Sequence, residues 1–136
     1  MQLLGLVWAD GDKPTRRKYA EQLLAEQQPD GGWAQRPGFP SDAYATGEAL
    51  YALYQAGILT GSSASYRRGV EFLLDTQYEN GSWHVASRAV KFQPYFDSGF
   101  PHGHDQWISS AGTAWAAMAL ALSADPAQDR AKLKIP

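Results

Sequence analysis

The chain has 136 residues, 44% hydrophobic and 12% aromatic, with a formal charge of −2 and no cysteine. That is one domain's worth of chain with apolar material for a real core, which excludes intrinsic disorder. A near-neutral balance without basic runs argues against a nucleic-acid or anionic-membrane partner, and the missing cysteines exclude disulfides and thiolate-bound zinc while leaving the compartment unassigned.

Met1-Gln2-Leu3-Leu4-Gly5-Leu6-Val7-Trp8 is apolar from its first residue, with no capping residue ahead of it. It aligns with the last turns of a later apolar helix that ends near Ile58. The chain therefore reads as beginning inside a helix, as a piece of something longer or as a chain completed by a partner. No basic segment leads into an apolar run, so no signal peptide is visible.

Thr15, after Pro14, is the expected cap of an amphipathic helix over 16–28, stopped by Pro29-Asp30-Gly31-Gly32. Ser41, after Pro40, is the expected cap of an apolar helix running to Ile58, with Tyr44, Gly47, Leu50, Tyr51 and Tyr54 three or four apart. Ser65 is expected to cap a second amphipathic helix over 66–77. The last helix is expected from Ser109 or Ser110 to about Ser123. Its apolar stretch, 14 residues over 111–124, is too short for a membrane span. The segment 125–136 reads as a polar tail beyond a helical domain over 1–124.

Two stretches repeat in register. Leu23-Leu24-Ala25-Glu26-Gln27-Gln28-Pro29-Asp30-Gly31-Gly32-Trp33 recurs 50 positions later as Leu73-Leu74-Asp75-Thr76-Gln77-Tyr78-Glu79-Asn80-Gly81-Ser82-Trp83. A fixed period of this length marks a stack of one supersecondary unit. Apolar helices alternate with amphipathic ones, which predicts an all-α array of helical hairpins in two layers. The copies part after tryptophan. Trp33 to Thr46 spans 13 residues and Trp83 to Thr113 spans 30, so the second linker carries 30 − 13 = 17 more. This insertion, about 84–108, holds Phe92, Tyr95, Phe96, Phe100 and Trp107, an aromatic content that argues for order and for function.

Arg68-Gly69-Val70-Glu71-Phe72-Leu73, followed by Gln77 and Gly81-Ser82-Trp83, resembles the QW motif of terpenoid cyclases. The first copy matches at Lys18, Leu23, Gln27, Gly31 and Trp33, with Tyr19 and Gln22 in place of the small and aromatic residues. The resemblance is to the squalene–hopene cyclase and protein prenyltransferase superfamily. It implies a partial (α/α) toroid of about two and a half hairpins, with a long aromatic loop across one end. Gln27, Trp33, Gln77 and Trp83 are then structural. The Asp-x-Asp-Asp motif by which such cyclases protonate an alkene is absent from this chain, as is a cysteine for a prenyltransferase zinc site.

The resemblance further implies an apolar pocket for an isoprenoid or other apolar small molecule. Tyr44, Tyr51 and Trp115 on the inner helices, and Phe96, Phe100 and Trp107 in the insertion, are its candidate lining. Asp97, His102, His104 and Asp105 are the candidate catalytic residues, as an acid–base set or a metal set, the bland alternative being loop-ordering hydrogen bonds. Asp97 and Asp105 as paired carboxylates in sugar chemistry make a lyase or hydrolase the rival enzyme. Glu48 is a buried acid if it faces inward, and His84, Arg88 and Lys91 are expected at the surface. No metal or cofactor is assigned. A non-catalytic repeat module that binds a protein partner, a second copy or the rest of a longer chain is the alternative from another class.

Overall fold

The computed structural model describes residues 2–90 and 94–124. Met1, Lys91, Phe92 and the expected tail over 125–136 lie outside the described residues. The protein is all-α. Five helices follow in order: α1 (Gln2–Trp8), α2 (Lys13–Ala25), α3 (Ala43–Gln55), α4 (Ala64–Asp75) and α5 (Gln106–Ser123), the last preceded by a 3₁₀ turn, Gly103–Asp105. Among the described residues there is no strand. The apolar helices α1, α3 and α5 form an inner layer, and the amphipathic α2 and α4 lie outside it, which makes a partial α/α toroid. The α3–α5 pair is the most extensive helix contact, with α4 against both and α1 against α2 and α3.

Helices α2, α4 and α5 begin slightly before the expected place, and α3 begins one residue after it. Asp12, not Thr15, caps α2, its Oδ1 accepting from Thr15 N at 2.9 Å. Pro14 falls inside the first turn, where its missing N–H costs nothing. Asp42, not Ser41, caps α3 by accepting from Ala45 N at 2.9 Å, and the Ser41 hydroxyl donates instead to Asp30. Ser63 stands at the start of α4, so Ser65 lies within the first turn. The end of α3 comes early as well. Gly57, at φ 72°, lets Gly57 N reach Tyr54 O at 2.9 Å and Ile58 N reach Leu53 O at 3.1 Å, a Schellman closure that leaves Ile58 outside the helix. The last helix starts at Gln106, so Gln106, Trp107 and Ile108 of the expected insertion are its first turn.

The two motif copies are the same construction. Trp33 Nε1 donates to Leu23 O and Trp83 Nε1 to Leu73 O, both at 2.7 Å, satisfying a carbonyl in the last turn of each outer helix. The glutamine amides close the turn below, Gln27 Nε2 to Gly31 O at 2.8 Å and Gln77 Nε2 to Gly81 O at 3.1 Å. The backbone N–H of each tryptophan then donates to a threonine hydroxyl on the next inner helix, Trp33 to Thr46 at 2.9 Å and Trp83 to Thr113 at 3.0 Å. Both indoles are buried, in a core with Leu50, Leu53, Tyr54, Tyr66 and Leu73. Inner helices pack tightly because Gly47 has no side chain: a Cβ there would lie 2.5 Å from the Trp115 carbonyl carbon.

Candidate functional site

After Trp83 the chain is pinned to the start of α5 before it wanders. Val85 is buried, its N–H donating to Ser109 Oγ at 3.0 Å, and the same hydroxyl donates to Val85 O at 3.3 Å. This holds His84 beside Asp105. His84 Nε2 lies 2.8 Å from Asp105 Oδ2, and Asp105 Oδ1 accepts from Ser87 N at 2.9 Å. An imidazole that donates Nε2–H to a carboxylate keeps Nδ1 as its acceptor. Asp105 occupies the N-cap position of α5 without making a side-chain cap bond.

His102 is the strained member of the group. Its φ of 81° lies in the left-handed region that non-glycine residues rarely occupy, and such outliers persist only where surrounding contacts enforce them. The enforcing contacts are clear. Tyr78 meets the His102 ring edge-on at 4.9 Å, His84 lies at 5.3 Å, and Phe100 at 6.4 Å. His102 Nε2 is 2.7 Å from Ser82 Oγ, while Ser82 Oγ donates to Asn80 Oδ1 at 2.7 Å. A hydroxyl has one proton, so His102 is the donor to Ser82 and does not serve as its base. Burial, then the neighbouring His84, holds the His102 pKa below the ordinary histidine value, with Asp105 opposing.

The four candidate catalytic residues are dispersed among different partners. Asp105 joins His84. Asp97 accepts from Gly99 N at 2.8 Å, closing an Asx turn in an exposed stretch. His104 is exposed, with its ring 4.2 Å from Tyr95. His102 faces Ser82. Among the described residues no group of three or more His, Cys, Asp or Glu is placed to hold a metal ion. His84 and Ser82, unassigned by sequence reasoning, complete the cluster; the signal available was that His84 follows Trp83 where the first copy has Ala34. Gln106 is buried and organises the loop, accepting from Ser98 N and Oγ and donating to Gly103 O at 2.9 Å and to Tyr95 Oη.

The candidate lining residues fall into two groups. Tyr51 and Trp115 meet edge-to-face at 5.6 Å on the inner helices. Tyr44 is close by: burial, then the Glu48 charge, raises its pKa, against a hydrogen bond from Trp115. Phe96 and Trp107 pair at 6.4 Å, Trp107 Nε1 donating to Phe96 O at 3.0 Å, and both are exposed at the start of α5. Phe100 belongs with His102. A separate cavity of about 340 Å³ lies between α1, α2 and α3, lined by Leu3, Leu23, Trp33, Tyr44, Glu48 and Ala52 among others. Of the six candidates only Tyr44 reaches it. Glu48 is buried there, and Arg88 lies over the Phe39 ring at 4.0 Å.

Two layers of helices tied by paired Gln…Gly-x-Trp turns, with aromatic rings on the inner layer, define a terpenoid-cyclase-type α/α toroid. Residues 1–135 match the squalene–hopene cyclase C-terminal domain, and the chain belongs to that family. It is 36% identical over 115 residues to a squalene–hopene cyclase of Bradyrhizobium diazoefficiens, covering 71% of this chain and 16% of that protein. Lanosterol synthases of Aspergillus fumigatus and Saccharomyces cerevisiae are 33% identical over 112 residues and 30% over 113, each covering 82% of this chain and 14% of the relative. The chain thus spans about one-sixth of these relatives' length or less. No solved structure matches it. Among the described residues no helix is long and apolar enough to cross a membrane.

Proposed function

We propose that this chain is a cyclase C-terminal-type domain that offers an apolar, aromatic face to an isoprenoid or another apolar small molecule. The observation that carries the reading is the Tyr51–Trp115 pair, half-buried on the inner layer at 5.6 Å, with the exposed Phe96–Trp107 pair at the head of the same helix α5. Rings held edge-to-face present both apolar area and π faces, which suits an unsaturated hydrocarbon chain. The reading assigns binding and no reaction, because the acidic motif that starts cyclisation is absent from this chain.

Farnesol tests it, titrated below its solubility limit and followed by tryptophan fluorescence. Saturable binding is expected, weakened by at least about tenfold in Trp115→Ala, the loss of one large aromatic contact. Non-saturating signal, or equal binding by Trp115→Ala with its fold intact by circular dichroism, overturns the proposal.

A further inference from the structure

The second motif carries groups that its construction does not use. Where the first copy has Gly32 and Ala34, the second has Ser82 and His84, yet both copies make the same tryptophan, glutamine and threonine bonds. Even the Asx turn is common to both: Gly32 N donates to Asp30 Oδ1 and Ser82 N to Asn80 Oδ1, each at 3.0 Å. The Ser82 hydroxyl and the His84 imidazole are therefore additions to the turn. The linker bends back to bring His102 to them, and it does so through left-handed backbone at a residue other than glycine. Strain of that kind gathers at sites that bind or react.

The two imidazoles are matched in tautomer and in separation. His84 is fixed through Nε2 on Asp105 Oδ2 at 2.8 Å, and His102 through Nε2 on Ser82 Oγ at 2.7 Å. Each ring keeps its Nδ1 lone pair, and among the described residues neither Nδ1 has a hydrogen-bond partner. The ring centroids lie 5.3 Å apart. Two imidazoles that share one zinc-like ion at a tetrahedral angle have centroids about 5 Å apart, given metal–nitrogen bonds of about 2.0–2.1 Å. Ordinary ring packing would account for the separation but not for two unengaged lone pairs.

The bonds that fix the rings are also the ones a metal ligand needs. An acceptor on the far N–H sets the tautomer and raises the basicity of the coordinating nitrogen. The Asp105 carboxylate also places a negative charge behind His84, which favours a cation in front of it. His84 is 41% exposed and His102 half-buried, so an ion can enter from solvent. We infer that His84 and His102 together hold one divalent transition-metal cation through their Nδ1 atoms, with the remaining coordination positions left to water. Imidazole nitrogen selects zinc, nickel or copper over magnesium and calcium, which require oxygen ligands. Among the described residues no third His, Cys, Asp or Glu completes the set, so the site is of the open kind that can take a further ligand. This inference is independent of the ligand reading, which rests on other residues.

The test is zinc chloride titrated by calorimetry into the full 136-residue chain, free of any affinity tag and stripped of metal with a chelator. One ion per chain is expected, and excess magnesium does not displace it. His84→Ala, which places there the residue of the first copy, weakens binding at least about tenfold, as does His102→Gln. Asp105→Asn keeps an acceptor for Ser87 N but removes the charge, and weakens binding about tenfold. His104→Ala, whose ring faces Tyr95, leaves binding unchanged. Circular dichroism of the metal-free variants shows which are folded, and His84→Ala, at an exposed position, decides the question if His102→Gln unfolds. Absence of saturable binding at zinc concentrations up to about 1 mM overturns the inference. Binding that His84→Ala leaves unchanged, or that His104→Ala removes, overturns it equally by placing the ion elsewhere.

Discussion

Trp83 Nε1 donates to the carbonyl of Leu73 at 2.7 Å, the same bond at the same length that Trp33 makes to Leu23. Both indoles are buried, and each shares its acceptor with a donor at the helix end, Leu23 O with Glu26 N at 3.2 Å and Leu73 O with Thr76 Oγ1 at 3.3 Å. Replacing either tryptophan by phenylalanine keeps most of the apolar area and removes the donor. Each variant is expected to lose about 1–3 kcal/mol, the cost of one short buried hydrogen bond plus a small void. Urea unfolding followed by far-ultraviolet circular dichroism measures it, and the two losses should agree.

The glutamines should not agree. Gln27 bonds Gly31, Ser65 and Arg68 across two outer helices, whereas the bond from Gln77 is local, to Gly81, in an exposed turn. Gln27→Ala is expected to cost about 1–3 kcal/mol and Gln77→Ala less than about 0.5 kcal/mol. Denaturant midpoints of the two variants beside the parent make the comparison.

Two glycines separate in the same way. A methyl on Gly47 would lie 2.5–2.6 Å from Trp115 and Ala116 backbone atoms, which cannot turn aside, while one on Gly5 meets nothing. Gly47→Ala is expected to lose about 3 kcal/mol by forcing α3 and α5 apart. Gly5→Ala is expected to gain about 0.5–1 kcal/mol of helix stability. Thermal melts of both variants beside the parent test the pair.

The repeat carries the fold in plain view because its period and its Gln, Gly and Trp spacing are set within a few residues. Helix ends were harder to read. Pro14 pulls the start of α2 back to Asp12, and at Ser41-Asp42 two good caps compete and the carboxylate wins because Asp30 engages the serine. The His84–Asp105 and Ser82–His102 contacts join residues about twenty apart through an irregular loop, and no local periodicity encodes how such a loop folds back. His84 was legible only as a surface residue, and it is indeed exposed; its partner was not legible at all. The start of α5 was hidden for a related reason. Trp107 and Ile108 read as part of an aromatic loop, while Ser109, expected at a helix cap, spends its hydroxyl on Val85.

His102 makes the loop acid-sensitive. Its folded pKa is lowered, by burial first, from an ordinary value of 6.5, so the unfolded chain takes up the proton more readily. The neutral form favours the folded state. That contribution is fully present above pH 6.5 and declines as the pH falls through the folded pKa, below which both states are protonated. Melting temperatures recorded from neutral to mildly acid pH should fall for the parent, and the fall should be smaller in His102→Gln. An identical slope in the two proteins would show that His102 is not the group responsible.

Thr46 and Thr113 receive the backbone N–H of Trp33 and Trp83 at nearly equal distances, although 13 residues separate one pair and 30 the other. The position of each inner helix is thus decided by a bond that spans the linker's two ends, and the residues between are relieved of that task. Linker length becomes a free variable, since lengthening a loop already closed at its ends costs little chain entropy. New segments can be grafted between the tryptophan and the threonine of either repeat without disturbing the helical stack. Chemistry can therefore diversify there, one loop at a time, on a scaffold that does not need to change.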